Sequence, residues 1–118
     1  MIDEGRAKRL TRLVKLLYDR TTSGEIEWKV TRNIWGRRIF RSSTPTYTVT
    51  LKSGGMTYSI NVRDGRGDMI LEYEAGSLAG PTIPGLDRDI ERLYKAVFES
   101  AIDVDGALDE IIHDLEGR

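Results

Sequence analysis

Leu10, Leu13, Val14, Leu17 and Tyr18 recur at the i, i+3, i+4, i+7 and i+8 spacing of a single apolar helix stripe. The pattern predicts a helix from about Asp3 to Arg20, with Asp3 as the expected N-cap. Thr21-Thr22-Ser23-Gly24 is the expected stop, because glycine takes the left-handed conformation that ends a helix without strain. From Glu25 the period falls to two. Ile26, Trp28 and Val30 alternate with Glu25, Glu27, Lys29 and Thr31, which predicts a strand with one buried face. Asn33-Ile34-Trp35-Gly36 reads as a turn, and Arg37 to Ser42 as a short second strand with Ile39 or Phe40 inward.

After Pro45 the alternation is cleaner. Tyr47, Val49 and Leu51 oppose Thr46, Thr48, Thr50 and Lys52. Ser53-Gly54-Gly55 then turns the chain into a return strand, with Met56, Tyr58, Ile60 and Val62 on one side. Asp64-Gly65-Arg66-Gly67 is a further turn, and a last strand covers roughly Asp68 to Glu74. The uncharged stretch 75–85, with three glycines and two prolines, is expected to be a loop. A helix starting near Asp87 would bury Ile90, Leu93, Tyr94, Val97 and Ala101. Val104, Leu108, Ile111, Ile112 and Leu115 continue its stripe almost in phase, across Asp103-Val104-Asp105-Gly106. Those four residues combine poor helix formers with a candidate N-cap, so two helices are preferred over one long one. The fold class is therefore α+β: an N-terminal helix, an antiparallel meander of four or five strands, and one or two C-terminal helices. No internal repeat or linker interrupts it.

With 118 residues the chain has the length of one domain, 1–118. Hydrophobic residues at 39% and charged residues at 31% support a folded core. The absence of cysteine excludes disulfides, thiolate catalysis and cysteine-rich zinc sites. Neither a signal-peptide core nor a run long enough for a membrane span is present, so a cytoplasmic location and no membrane partner are expected.

The net charge of −1 conceals a lopsided distribution. Residues 64–118 hold fourteen acidic and five basic side chains. Residues 28–63 hold Lys29, Arg32, Arg37, Arg38, Arg41, Lys52 and Arg63 and no acid at all.

Catalytic chemistry finds little support. The one histidine, His113, lies among Asp109, Glu110 and Asp114 in the last helix, where a solvated face explains it. The acidic residues of the C-terminal half are what the outer faces of amphipathic helices would carry. Asp103-x-Asp105-Gly106 fails as a calcium loop, since alignment on Gly106 puts Ala101 and Ile112 in ligand positions. Arg66-Gly67-Asp68 falls in a turn and needs no adhesive role. The 75–85 stretch lacks the G-K-[ST] ending of a phosphate-binding loop. No catalytic residue, metal ligand or cofactor is expected, and the chain reads as a non-enzymatic protein.

The acid-free block carries the remaining chemistry. Arg32, Arg37, Arg38 and Arg41 bracket Trp35 and Phe40, and these six are the expected ligand-binding residues. Arginine forks grip phosphates or carboxylates, and aromatic faces stack on bases, so the mixture suits an anionic, planar, nucleotide-like small molecule. Two other readings stay open. The arginines could form a solvated edge that discourages strand pairing, or the basic sheet could pair with the acidic C-terminal helices, within the chain or from another subunit.

The run Leu16-Leu17-Tyr18-x-x-Thr21-x-x-Gly24-x-Ile26-x-Trp28, the meander after it and Val104-Asp105 before a second stripe resemble small bacterial and phage proteins. Phage proteins of comparable make-up include ones that sequester host nucleotide signals as homo-oligomers. The resemblance implies a ligand-binding homo-oligomer with a counter-defence role and assigns no residue. The expected function is thus sequestration of an anionic nucleotide-like molecule. The alternative is an adaptor or inhibitor docking on a host protein through its sheet edge or C-terminal helices. The acidic C-terminal segment disfavours nucleic acid as partner.

Overall fold

The computed structural model describes residues 4–76 and 83–117. Helix α1 (Glu4–Thr22) is followed by strands β1 (Lys29–Arg32), β2 (Arg38–Ser43), β3 (Tyr47–Ser53), β4 (Tyr58–Asp64) and β5 (Met69–Ala75). Helices α2 (Pro84–Ala101) and α3 (Val104–Glu116) complete the chain. The strands form one antiparallel sheet in sequence order, the meander that the alternation predicts. Asp3 and most of the 75–85 stretch lie outside the described residues.

Register explains where the core sits. Val30, Phe40, Leu51, Ile60 and Tyr73 stand opposite one another across the five strands. Side chains alternate along a strand, so this row and its neighbours two residues away share one face. Leu10, Val14 and Leu17 of α1 and Leu86, Ile90, Leu93 and Val97 of α2 complete the buried cluster on that face. Phe40 settles the second strand's orientation: it is fully buried, edge-on to Tyr94 at 5.4 Å and to Phe98 at 6.1 Å between ring centroids. Such pairs add to burial because a ring's positive edge meets a negative face. Trp28 is also buried and donates its indole N–H to Thr21 Oγ1 at 2.9 Å, which ties β1 to the end of α1.

Two boundaries differ from the sequence-based expectation. The first strand begins at Lys29 rather than Glu25, because the amides of Glu25 and Ile26 both donate to the Arg20 carbonyl and close the helix instead of entering the ladder. Gly24 sits there with φ +79°, as a helix stop requires. Helix α2 starts at Pro84, one turn before Asp87, and the Asp87 carboxylate serves β5: it accepts from the Tyr73 hydroxyl and from Gly76 N.

The C-terminal helices are two. Ile102 is extended (φ −111°, ψ 123°), and Asp103 caps α3 by accepting from Gly106 N at 2.9 Å. The apolar stripe of α3 does not join the core. Leu108, Ile111, Ile112 and Leu115 are between 51% and 62% exposed, and the helix buries no residue.

Candidate functional site

The turn between β1 and β2 is built by one side chain. Asn33 Oδ1 accepts from Trp35 N at 2.9 Å and Arg37 N at 3.0 Å, while Gly36 N donates to the Asn33 carbonyl. Gly36 is left-handed (φ +77°), and Arg32 Nη1 reaches across to the Gly36 carbonyl at 2.7 Å. An Asx side chain satisfying two amides and a left-handed glycine closing the hairpin are standard turn chemistry.

The turn between β4 and β5 repeats that network bond for bond. Asp64 Oδ1 accepts from Arg66 N and Asp68 N, Gly67 N donates to the Asp64 carbonyl, and Arg63 Nη1 donates to the Gly67 carbonyl. The shared signal is Arg-Asx-x-x-Gly, at Arg32 to Gly36 and Arg63 to Gly67. The two positions between differ. One turn carries Gly65-Arg66, the other Ile34-Trp35, with Ile34 90% and Trp35 79% exposed. The same turn folds without apolar residues at its tip, so Ile34 and Trp35 are not there to make it.

Alternate hairpin tips of a meander share an end of the sheet, which brings the 54–57 turn beside Arg37. A Cβ placed on Gly54 would lie 3.8 Å from Arg37 Nη1. Met56, at that second tip, is 93% exposed. The two turns frame a cleft of about 540 Å3 lined by Asn33, Trp35, Arg37, Lys52, Ser59 and Glu74, among others. On the helix side of the same end, a groove of about 350 Å3 is lined by Arg32, Arg37, Arg38 and Tyr94. Arg37 borders both.

The structure therefore divides the six sequence-derived residues. Trp35 and Arg37 meet in the open-face cleft, and Arg32, Arg37 and Arg38 meet in the helix-side groove. Phe40 has no surface to offer a ligand, since α2 covers it completely; it serves the core. Arg41 points to the opposite face from Phe40 and lines a separate depression with Glu25, Glu27 and Lys29. Arg38 lies over the Phe98 ring at 5.2 Å, so part of its charge is already engaged by an aromatic face. Burial raises the Tyr94 phenol above its ordinary pKa, and so does neighbouring Tyr58, while Arg38 opposes the shift.

Sequence reasoning missed Lys52, Ser59 and Glu74 as lining residues. Their signal is the register: Ile39, Lys52, Ser59 and Glu74 stand side by side on the face away from the helices. That face is polar and crowded. Thr50, Ser59 and Asn61 are buried there beneath longer neighbours, and Asn61 Oδ1 finds no hydrogen-bond partner among the described residues.

Among the described residues, none of the seven cations of the 28–63 block forms an ion pair. The contrast is the larger groove of about 680 Å3 between α1 and α2, which also holds Arg92 and Lys95. There Arg92 stacks over Tyr18 at 4.8 Å and Lys95 pairs with Glu91 at 3.4 Å. Its cations are thus engaged by a ring or a carboxylate, whereas among the described residues of the hairpin end only Arg38 has such a contact, to the Phe98 ring.

No group of acidic residues and histidine among the described residues is arranged to hold a metal ion, and no described helix is long and apolar enough to cross a membrane. Compared with known proteins, the chain matches no family model, no curated protein and no solved structure.

Proposed function

We propose that this chain is a non-enzymatic binding protein that captures a planar, anionic small molecule of the nucleotide type at the hairpin end of its sheet. Trp35 is the stacking platform, with Arg37 and Lys52 as the phosphate or carboxylate contacts in the open-face cleft. Arg32 and Arg38 add positive potential from the adjoining groove. An exposed indole beside unpaired cations suits such a ligand because a base has a π-face and a phosphate accepts paired N–H donors. The cleft volume falls in the range of small-molecule sites, about 300–1,000 Å3.

The observation that carries the proposal is the exposed Trp35 on a turn whose twin folds with Gly65-Arg66 in the same places. The apolar residue is an addition to the turn, set among cations. A long nucleic acid fits less well, because the fourteen acidic side chains of 64–118 would oppose an extended phosphate backbone.

Tryptophan emission tests the proposal. Trp28 is buried and Trp35 exposed, so a nucleotide stacking at the site quenches the Trp35 component. A panel of mono- and dinucleotides is expected to include at least one saturable quencher whose effect vanishes in Trp35→Ala and weakens in Arg37→Glu. A flat panel would remove the ligand reading. A second reading, protein contact through the C-terminal helix, is favoured by the bare apolar stripe of α3.

A further inference from the structure

We infer that α3 is a docking helix for a second copy of this chain, and that it seats on that copy's hairpin end, around Ile34, Trp35 and Met56. The inference needs no nucleotide, and a docked helix and a nucleotide would compete for the same turn. It begins with the helix itself. Leu108, Ile111, Ile112 and Leu115 follow the i, i+3, i+4, i+7 spacing of a packing stripe, yet all are about half exposed. Asp103 caps the helix, so it is a formed element and not a frayed end.

Charge selects the occupant. At 100° per residue, Asp105, Asp109 and Glu116 fall along one edge of the stripe, Asp114 lies on the other flank, and Glu110 is on the opposite face. The helix has no lysine or arginine. Pairing α3 with another α3 would bring acidic edges against acidic edges, and like charges held together across an interface disfavour the wrong partner. The stripe needs a surface that is apolar at its centre and basic around it. The hairpin end is that surface on this chain: Ile34, Trp35 and Met56 are its exposed apolar side chains, the sequence from 28 to 63 has no acid, and Glu74 is the one carboxylate among the residues lining its cleft. Arg37 and Lys52 supply cations at the rim.

Geometry sets the kind of assembly. Helix α3 is about 20 Å long at 1.5 Å per residue, and it makes no substantial packing contact with any other element of its own chain. The exposure of Leu108, Ile111, Ile112 and Leu115 leaves it accessible to a neighbour. A helix of one copy on the hairpin end of the next is a head-to-tail contact. It closes into a ring or continues as a filament.

Two variants keep the core intact and each removes one half of the contact. The first changes Leu108, Ile111, Ile112 and Leu115 to alanine, which keeps helix propensity and touches no buried residue. The second gives positions 34, 35 and 37 of the β1–β2 turn the residues of its twin, by Ile34→Gly, Trp35→Arg and Arg37→Asp, and keeps Asn33 as the side chain that builds the turn. Sedimentation is measured without nucleotide. Wild type is expected to associate, with the dissociation constant rising roughly tenfold or more as the rim charges are screened by salt or either half is removed. Each variant alone is expected to be monomeric, and an equimolar mixture to give a 1:1 pair that grows no further. One partner supplies the intact helix and the other the intact turn.

A monomeric wild type overturns the inference. So does association of the turn variant at wild-type strength, which would mean that α3 pairs with itself or with another surface. A mixture that stays monomeric overturns it as well. Arg37→Glu alone provides a second, milder turn variant for the same comparison. Because a docked α3 and a nucleotide would compete for Trp35, Arg37 and Lys52, the alanine variant should bind nucleotide more tightly than wild type. Loss of association is read in sedimentation without nucleotide and loss of quenching in this monomeric variant, so the failure of one proposal is distinguishable from that of the other.

Discussion

The Tyr73 hydroxyl donates to the Asp87 carboxylate, and this bond joins the last strand to the first turns of α2. The same phenol oxygen accepts from Ile83 N at 3.1 Å, and Asp87 also accepts from Gly76 N at 3.0 Å. Two side chains thus hold both ends of the segment that connects sheet and helix.

The pair makes a prediction about alkaline stability. Burial, followed by the bond to Asp87, pushes the Tyr73 phenol up to about 12 from an ordinary 10.0. A folded-state pKa above the unfolded one means that the stabilisation is complete below pH 10 and is lost as pH rises through about 12. Tyr73→Phe should cost about 1.5–3 kcal/mol at neutral pH by losing a bond to a charged group. The difference from wild type should shrink above pH 10. Urea unfolding across that pH range checks both parts.

Gly106 supplies a substitution whose sign runs against propensity. Glycine to alanine inside a helix normally gains about 1 kcal/mol. Here a Cβ would fall inside the Asp103 carboxylate that caps α3, so Gly106→Ala must displace the cap. We expect faster amide exchange in α3 for both Gly106→Ala and Asp103→Ala, each losing a cap worth about 1 kcal/mol. Because α3 buries no residue, the thermal midpoint of the body should be unchanged in dilute protein.

Phe40 and Trp35 lie five residues apart and should respond in opposite ways. Phe40→Ala removes a fully buried ring from beneath α2 and is expected to destabilise by about 3–5 kcal/mol. Trp35→Ala should change stability by no more than about 0.5 kcal/mol, because its side chain is mostly in solvent. Chemical denaturation of both proteins makes the comparison.

Thr21 is expected to matter through its oxygen. Thr21→Val keeps the shape but leaves the buried Trp28 indole N–H without its acceptor, at a cost of about 1–3 kcal/mol. Thr21→Ser retains the oxygen and should recover most of that loss. Equilibrium unfolding of the two variants separates the hydrogen bond from the packing.

Much of the fold was legible because burial leaves a periodic trace. The alternation from Tyr47 to Arg63 identified β3 and β4, and the helix stripe from Leu10 to Tyr18 identified α1, each with its buried face correct. Other features left no such trace. Asp87 looks like a helix start in sequence, but its carboxylate is used by Tyr73, fourteen residues away. The stripe of α3 reads like that of α2, and only the three-dimensional arrangement shows that no described residue covers it. Candidate site residues were found by type, through clustered arginine and tryptophan. Whether each faces a cleft or the core depends on strand register, which is why Phe40 and Arg41 part from Trp35 and Arg37, and why Lys52 joins them.

Chemical-shift mapping of backbone amides and indole N–H groups during a nucleotide titration reads the hairpin end residue by residue. A ligand held there gives saturable shifts at residues 33–37 and 52–59 and at the Trp35 indole, with α1 and the Trp28 indole unmoved. Shifts centred on the groove between α1 and α2, or none at the hairpin end with any nucleotide, would contradict such a site.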